Sequence, residues 1–539
     1  MSEAAAAPVH AVTRSPHAGA GEVSPWFIAF VVAMTTFMEV LDISIANVSL
    51  RHIAGDLSAG QDESTWVLTS YLVTNAIVLP ISGWFAYVVG RRTFYLWCVV
   101  VFTVSSLLCG LAPTLPMLIL FRTLQGIGGG GLQPISQAIL SDSFPPAKRG
   151  MAFAVYGITT VLAPAIGPTL GGWITDNFSW RWIFFINVPV GVIAFALSRR
   201  LVWDPPHLVQ AQQDMRARGF HIDYLGFGLL ALGFGCLQVV LDKGQQDDWF
   251  ESAFIIRMAV VSAVCLFLLP FWELRQRDPM MDLRLLLQRN FLISNLLMFV
   301  LGFVLMGSTL LLPLFVQTLL GYSATQAGLV LSPGGVAILF VMPIVGALVT
   351  RVDVRALISF GLLIGALALF LFGRIDLAVD YQTVALIRVV QALGLAFLFI
   401  PINTAAFAGI PLLKSSSASA IINLSRNLGG SFGIALISSQ LVQQQQRHQT
   451  YLVAHVGDAV TRPGGSVAET ARSLMAQGVP ALEAQQQALA HLYAMVQRQA
   501  SMLSYIDAFH ALALLFLLLV PACLLLRRPA PPKGPLAAH

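Results

Sequence analysis

Apolar residues run in blocks of span length along almost the whole chain, and most of the charge is confined to the short stretches between them. A helix needs about 20 apolar residues to cross the hydrocarbon core of a bilayer. Backbone polar groups cannot face lipid unpaired, so blocks of that length are expected to be helical. The pattern predicts fourteen spans, at 26–48, 66–88, 94–112, 115–140, 150–175, 182–202, 224–242, 252–272, 291–319, 328–349, 356–373, 383–410, 418–442 and 505–526. The first block is too long and too far from residue 1 for a cleaved signal peptide, and no Ala-x-Ala site follows it, so it is read as mature chain.

Composition agrees with this pattern. Of 539 residues, 57% are hydrophobic and only 11% charged, against roughly 25% charged in an average soluble domain. That is too little charge to cover a water-exposed surface, which excludes soluble enzymes, disordered chains and disulfide-stapled secreted domains. Cys98, Cys109, Cys236, Cys265 and Cys523 all fall in apolar runs and form no CxxC, so neither a disulfide framework nor a metal site is expected.

The connections set the orientation. With the N-terminus in the cytoplasm, nineteen Lys and Arg residues fall inside, eight fall outside, and four (Arg122, Arg257, Arg388, Arg426) lie within spans. The positive-inside rule therefore places both termini in the cytoplasm. The same rule accounts for the net charge of +5, which does not argue for nucleic acid as a partner. The longest connection, 443–504, falls outside; it opens with Gln443–Gln446, breaks at Pro463-Gly464-Gly465 and turns helix-like after Pro480, so span 14 is expected to continue as a helix beyond the membrane. Spanning does not require such an element, which suggests docking to a partner.

An internal repeat divides the chain. Arg122, Gln125 and Gln133-Pro134-Ile135 of span 4 recur as Arg388, Gln391 and Ile400-Pro401-Ile402 in span 12, with Arg122 and Arg388 266 residues apart. Gly83–Arg92, ending span 2, aligns with Gly346–Arg355, ending span 10, at an offset of 263. The chain is thus expected to hold a cytoplasmic tail (1–25), an N-terminal six-helix bundle (26–202) and a linker with two inserted transmembrane helices (203–290). A C-terminal six-helix bundle containing the external loop (291–526) and a second cytoplasmic tail (527–539) complete it. Duplicated bundles suit alternating access about a central site.

Acidic residues deep in a membrane cost about 2.5–3.5 kcal/mol each on insertion scales, and only Glu39 and Asp42 lie well inside a span. Spaced i, i+3, they share a helix face. Burial and mutual repulsion make it costly to ionise both, which suits a pair that loads and releases a proton and attracts a cationic substrate, with Asp42 expected to lead and Glu39 to assist. The bland alternative is an acid neutralised by a structural partner such as Arg122. Arg122 is the buried cation that could switch partners with these acids; Arg388 repeats it without an acidic partner visible in its own half. Asn47, Gln125, Gln133, Gln137, Gln317 and Asn403 are in-span polar groups that could line a cavity. Gly126–Gly131 satisfies G-x-G-x-x-G but follows no strand, so helix packing rather than nucleotide binding is expected. No ATPase motif and no Ser-His-Asp or metal-ligand cluster is present. No catalytic group and no cofactor are expected; an ion gradient would supply the energy.

These residues resemble the major facilitator superfamily, and within it the fourteen-span EmrB/QacA-type drug–proton antiporters, from about residue 26 to 526. Leu41–Leu50 (LDISIANVSL) is similar to the family's span 1 signature, with Asp42 on the acidic position. Phe121–Gly130 is similar to the span 4 motif, with Arg122 on its basic position. The span 5 antiporter motif stands as Gly167, Pro168, Gly171 and Gly172, and Trp180–Gly191 and Leu320–Gly328 are also typical. The span 2–3 loop keeps Gly83, Gly90, Arg91 and Arg92 but carries Tyr87 where the family has Asp, so its Asp-based gating latch cannot form in the usual way. The resemblance implies an all-α major facilitator fold and proton-coupled efflux of hydrophobic or amphipathic drugs across a bacterial inner membrane. It also implies a periplasmic membrane-fusion adaptor and an outer-membrane channel as partners. A substrate-specific proton-coupled exporter, of a siderophore or fatty acid for example, would carry the same motifs. A non-transporting receptor or scaffold is the reading from another class.

Overall fold

A computed structural model describes residues 24–217, 223–276, 278–461 and 466–527. The expected N-terminal tail up to residue 23, the C-terminal tail from 528 and the break at Pro463-Gly464-Gly465 lie outside the described residues. So do Arg14, Arg218, Arg277, Arg462, Arg528 and Lys533 of the orientation count.

The described chain is helical, without strands. Helices α1 (Pro25–Asp56), α2 (Trp66–Val89), α3 (Arg91–Leu111), α4 (Leu115–Ser143), α5 (Arg149–Asn177) and α6 (Asn187–Leu201) pack into one bundle. The linker forms a short helix the hydrophobic pattern did not announce, α7 (Pro206–Ala217), followed by the inserted pair α8 (Tyr224–Lys243) and α9 (Ala253–Glu273). The second bundle comprises α10 (Arg289–Thr318), α11 (Ala324–Leu348), α12 (Val354–Phe372), α13 (Tyr381–Phe407), α14 (Ser415–Thr461) and α16 (Ala481–Leu524), with α15 (Ser466–Ala476) outside it.

Twelve described helices are long and apolar enough to cross a membrane. The two others needed for the expected fourteen, α4 and α14, have the length but not the composition. Helix α4 carries Arg122, Gln125, four consecutive glycines, Gln133 and Gln137; α14 opens with three serines and continues through Asn423 and Arg426. Their polar residues are buried against other helices, α4 packing on α2, α3 and α14, and α14 on α10, α16 and α2, while apolar side chains such as Leu120 and Leu436 stay exposed. A surface that faces protein need not be apolar, which is why a lipid-based criterion passes over them.

Within the expected external connection 443–504, the described residues are mostly helical and α14 and α16 form a helical hairpin. Helix α14 has 47 residues and α16 has 44, so each is about 65–70 Å long, roughly twice the hydrocarbon thickness. Only the extension of α16 after Pro480 was legible beforehand; the continuation of α14 through Gln443–Gln446 was not, because a polar run reads as loop.

Small residues let the bundles meet. A Cβ on Gly83 would lie 2.7 Å from the Ser417 Cα of α14, and one on Gly346 would lie 2.9 Å from the Gly150 carbonyl of α5. The repeat-related pair Gly83 and Gly346 thus closes the α2–α14 and α5–α11 seams. Gly90, at φ +104°, makes the abrupt turn between α2 and α3 that a side chain would strain. Helix α8 lies over the α2–α14 seam, where Ser431 donates to Gln238 at 3.0 Å.

Candidate coupling site

Helix α1 places Glu39 and Asp42 one turn apart, both buried, and gives them different surroundings. Asp42 accepts from Arg122 Nη1 at 2.5 Å through Oδ2, and from Gln125 at 3.0 Å and Asn187 at 2.8 Å through Oδ1. Arg122 also donates from Nε to the Val67 carbonyl at 3.0 Å and from Nη1 to Gln125 Oε1 at 2.8 Å, with its guanidinium 4.4 Å from the Tyr71 ring centroid. This is a compensated buried ion pair that ties α1, α2, α4 and α6 together, the arrangement in which burying two charges is tolerable.

Glu39 has no cation from its own bundle. Tyr71 donates to Oε1 at 3.2 Å and Asn75 at 3.3 Å, and the Gln133 amide nitrogen donates to Oε2. Gln133 Oε1 in turn accepts from Arg426 Nη2 of α14, on the opposite bundle. The amide must present its NH2 to the carboxylate and its oxygen to the guanidinium, so Gln133 bridges the two charged groups in one defined orientation.

A second polar cluster lies along the same seam. Gln137 donates to Asn403, and its Oε1 accepts from Ser419 at 2.9 Å and Asn423 at 2.5 Å, while Tyr156 donates to Asn423 at 3.1 Å. Nearer the α2–α3 turn, buried Arg91 pairs with Asp142 at 2.7 Å and donates to Ser415 at 2.9 Å and Ser416 at 3.2 Å. Arg91, Asp142 and the serines opening α14 thus form a polar contact between the two bundles. Tyr87 itself donates to the Ala211 carbonyl of α7 at 3.5 Å, and Asp204 accepts from the Arg92 backbone N–H at 2.8 Å, fastening this loop to the linker.

Arg388 is buried in α13 and donates to Gln391 at 2.5 Å. Asn47 and Gln317 are exposed and join neither seam cluster. Gly126–Gly131 packs α4 against α2 and α3; a Cβ on Gly128 would stand 2.6 Å from the Phe102 nitrogen. Gly167 lies against Ser44 and Gly171 against Ile45, so with Pro168 they form the contact of α5 with α1, whereas nothing lies close to Gly172.

Sequence reasoning paired Glu39, Asp42 and Arg122 but did not single out Tyr71, Asn75, Asn187, Tyr156 and Asn423. Tyr71 and Asn75 are polar at i, i+4 within an apolar span, and Asn187 interrupts an apolar run; that spacing was the available signal.

A family model described as Major Facilitator Superfamily matches residues 29–434. The chain is 40% identical over 430 residues to the multidrug export protein EmrB of Haemophilus influenzae, covering 80% of this chain and 83% of that one. It is 34% identical over 511 residues to the fatty acid resistance protein FarB of Neisseria gonorrhoeae, covering 94% and 97%. Among solved structures, the proton:xylose symporter XylE superposes with a TM-score of 0.57 at 15% identity, covering 92% of this chain and 96% of that one. The human organic anion transporter MFSD10 gives 0.55 at 14%, covering 92% and 100%. These two likenesses concern the fold.

Proposed function

The chain belongs to the Major Facilitator Superfamily, and we propose that it is a proton-coupled exporter of hydrophobic and amphipathic drugs. It is a multi-pass membrane transporter rather than an enzyme. Its spans number fourteen, with α4 and α14 among them, both termini are cytoplasmic, and the membrane is the bacterial inner membrane. The similarity to multidrug export proteins supports the substrate class.

One observation carries the coupling mechanism: among the described residues Glu39 is linked through Gln133 of its own bundle to a cation of the other, Arg426. Ionised Glu39 favours the bundles joined at this point. A proton taken from the outer side neutralises it and removes the charge facing Arg426, releasing the seam. The proton leaves to the cytoplasm when the opposite opening lets drug enter, and a cationic drug can take over the same carboxylate. Asp42 and Arg122 hold α1 against α4 during this cycle, with Gln125 completing the pair. Gln137, Asn403 and the exposed Asn47 are candidates for contact with substrate as the seam opens. The extramembrane hairpin of α14 and α16 docks a periplasmic adaptor and, through it, an outer-membrane channel.

The test is transport in proteoliposomes with an imposed pH gradient, lipophilic cations and neutral drugs. Wild type should move drug against the gradient, and Glu39→Gln should bind drug without moving it. Equal movement by Glu39→Gln would remove Glu39 from the mechanism; a wild type that moves nothing would overturn drug export. A narrower exporter is the second reading, favoured by the similarity to a fatty acid resistance protein over nearly the whole chain; a competition profile confined to one chemical class would identify it. A receptor or scaffold would show no substrate-dependent proton flux.

A further inference from the structure

The two halves handle the same pair of residues differently. In the first, Arg122 Nη1 donates to Gln125 Oε1, and both side chains then converge on the Asp42 carboxylate. In the second, 266 residues on, Arg388 Nη1 donates to Gln391 Oε1 in the same way. Here, however, Gln391 Nε2, the counterpart of the Gln125 donor to Asp42, is buried without a hydrogen-bond partner among the described residues, and so is Arg388 Nε, whose counterpart in the first half donates to the Val67 carbonyl. Helix α10 packs on α13 as α1 packs on α4, yet α10, α11, α12 and α13 contain no Asp or Glu. A buried guanidinium without a counter-charge costs several kcal/mol per ion in principle, so a site that keeps one is prepared for an anion from outside the chain.

From this broken symmetry we propose that Arg388 and Gln391 hold the carboxylate of an amphipathic acid, occupying in the second bundle the place that Asp42 fills in the first. The inference rests on the transport reading and gives the amphipathic acids of its second reading a site of their own, since Glu39, an anion itself, would not attract them. The face of α13 that carries Arg388 runs on to the seam between the bundles. Phe399 lies eleven residues, about three turns, beyond Arg388 on the same face of α13, and its ring stacks on Tyr156 of the opposite bundle at 6.0 Å. A Cβ on Gly334 of α11 would lie 3.0 Å from Arg388 Cγ, so small residues leave the guanidinium stem its room. The neighbouring seam is apolar, with Met342 and Phe399 against Gly157, which suits a hydrocarbon tail. In the first half the Asp42 carboxylate takes one donor from Arg122 and one from Gln125, and the hydrogen-bonded Arg388–Gln391 pair carries the same two donor groups.

The experiment is equilibrium binding of radiolabelled decanoate, methyl decanoate and tetraphenylphosphonium to the full-length protein in nanodiscs. Wild type should bind the acid at least about tenfold more tightly than its ester, as expected for a charge-assisted hydrogen bond. Arg388→Gln should remove that preference, Arg388→Lys should retain part of it, and neither should alter tetraphenylphosphonium binding. Equal affinity for acid and ester in wild type, or a preference that survives Arg388→Gln, overturns the proposal. Should Arg388→Gln fail to fold, Gln391→Leu carries the same arm, its expected effect a severalfold loss confined to the acid; an unchanged preference there also overturns the proposal. Gradient-driven tetraphenylphosphonium export by wild type is measured in parallel. Export without acid preference defeats this site alone, whereas acid preference without export defeats the transport reading and leaves the site standing.

Discussion

Glu39 and Arg426 belong to opposite bundles and are joined through a single side chain, the amide of Gln133. Replacing that amide with an apolar group of similar size leaves a buried carboxylate and a buried guanidinium each short of a partner, at about 1–3 kcal/mol apiece. Gln133→Leu is expected to cut drug-dependent proton flux in proteoliposomes by about tenfold or more, with normal amounts of protein in the membrane. Flux at the wild-type level would show that the bridge is incidental to coupling.

The Asp42–Arg122 pair behaves differently, because each charge has its counter-charge in the same bundle. Removing one partner of a buried pair costs about 3–5 kcal/mol, so Arg122→Gln and Asp42→Asn should each lower the melting temperature in detergent and stop export. The double variant should recover most of the lost stability, since neither charge is then stranded. Strictly additive losses would mean that the two residues do not act as a unit.

Gly83 meets the backbone of Ser417 too closely for any side chain. Gly83→Val should prise α2 from α14 beside the Arg91–Asp142 ion pair. In a background lacking the native cysteines, alkylation of Ser416→Cys should then run faster with Gly83→Val than without it. Equal rates would show that this contact does not hold the seam.

The helical hairpin presents Tyr451, Val453, Leu489, Tyr493 and Met495 to its surroundings, on segments long enough to stand clear of the hydrocarbon. Deleting 445–500 should abolish capture of the adaptor while the transporter keeps its size-exclusion profile and drug binding. Capture at wild-type levels would place the adaptor elsewhere.

The span pattern was legible because lipid imposes one uniform rule on every outward-facing residue, and the end of α9 or the start of α8 could be read to within a residue. Helices α4 and α14 could be located but not justified by that rule, since their polar residues are excused by neighbours that the hydropathy of a segment does not register. Glu39, Asp42 and Arg122 stood out for the complementary reason: a charge in an apolar run is expensive wherever the run folds.

What the sequence determined by itself was therefore membership of the membrane, the two-fold repeat, and the short set of buried charges that any mechanism must use. Which charge pairs with which was decided by tertiary structure alone. Glu39 and Asp42 are three residues apart on one helix, yet one looks across the seam to Arg426 and the other into its own bundle to Arg122. The repeat shows that Arg388 corresponds to Arg122 and that its own half shows no acidic partner for it, but only packing shows that Arg388 Nε and Gln391 Nε2 are buried without a partner among the described residues. Partnership in a bilayer depends on direction and on a few ångströms of separation, and both are set by how distant helices pack.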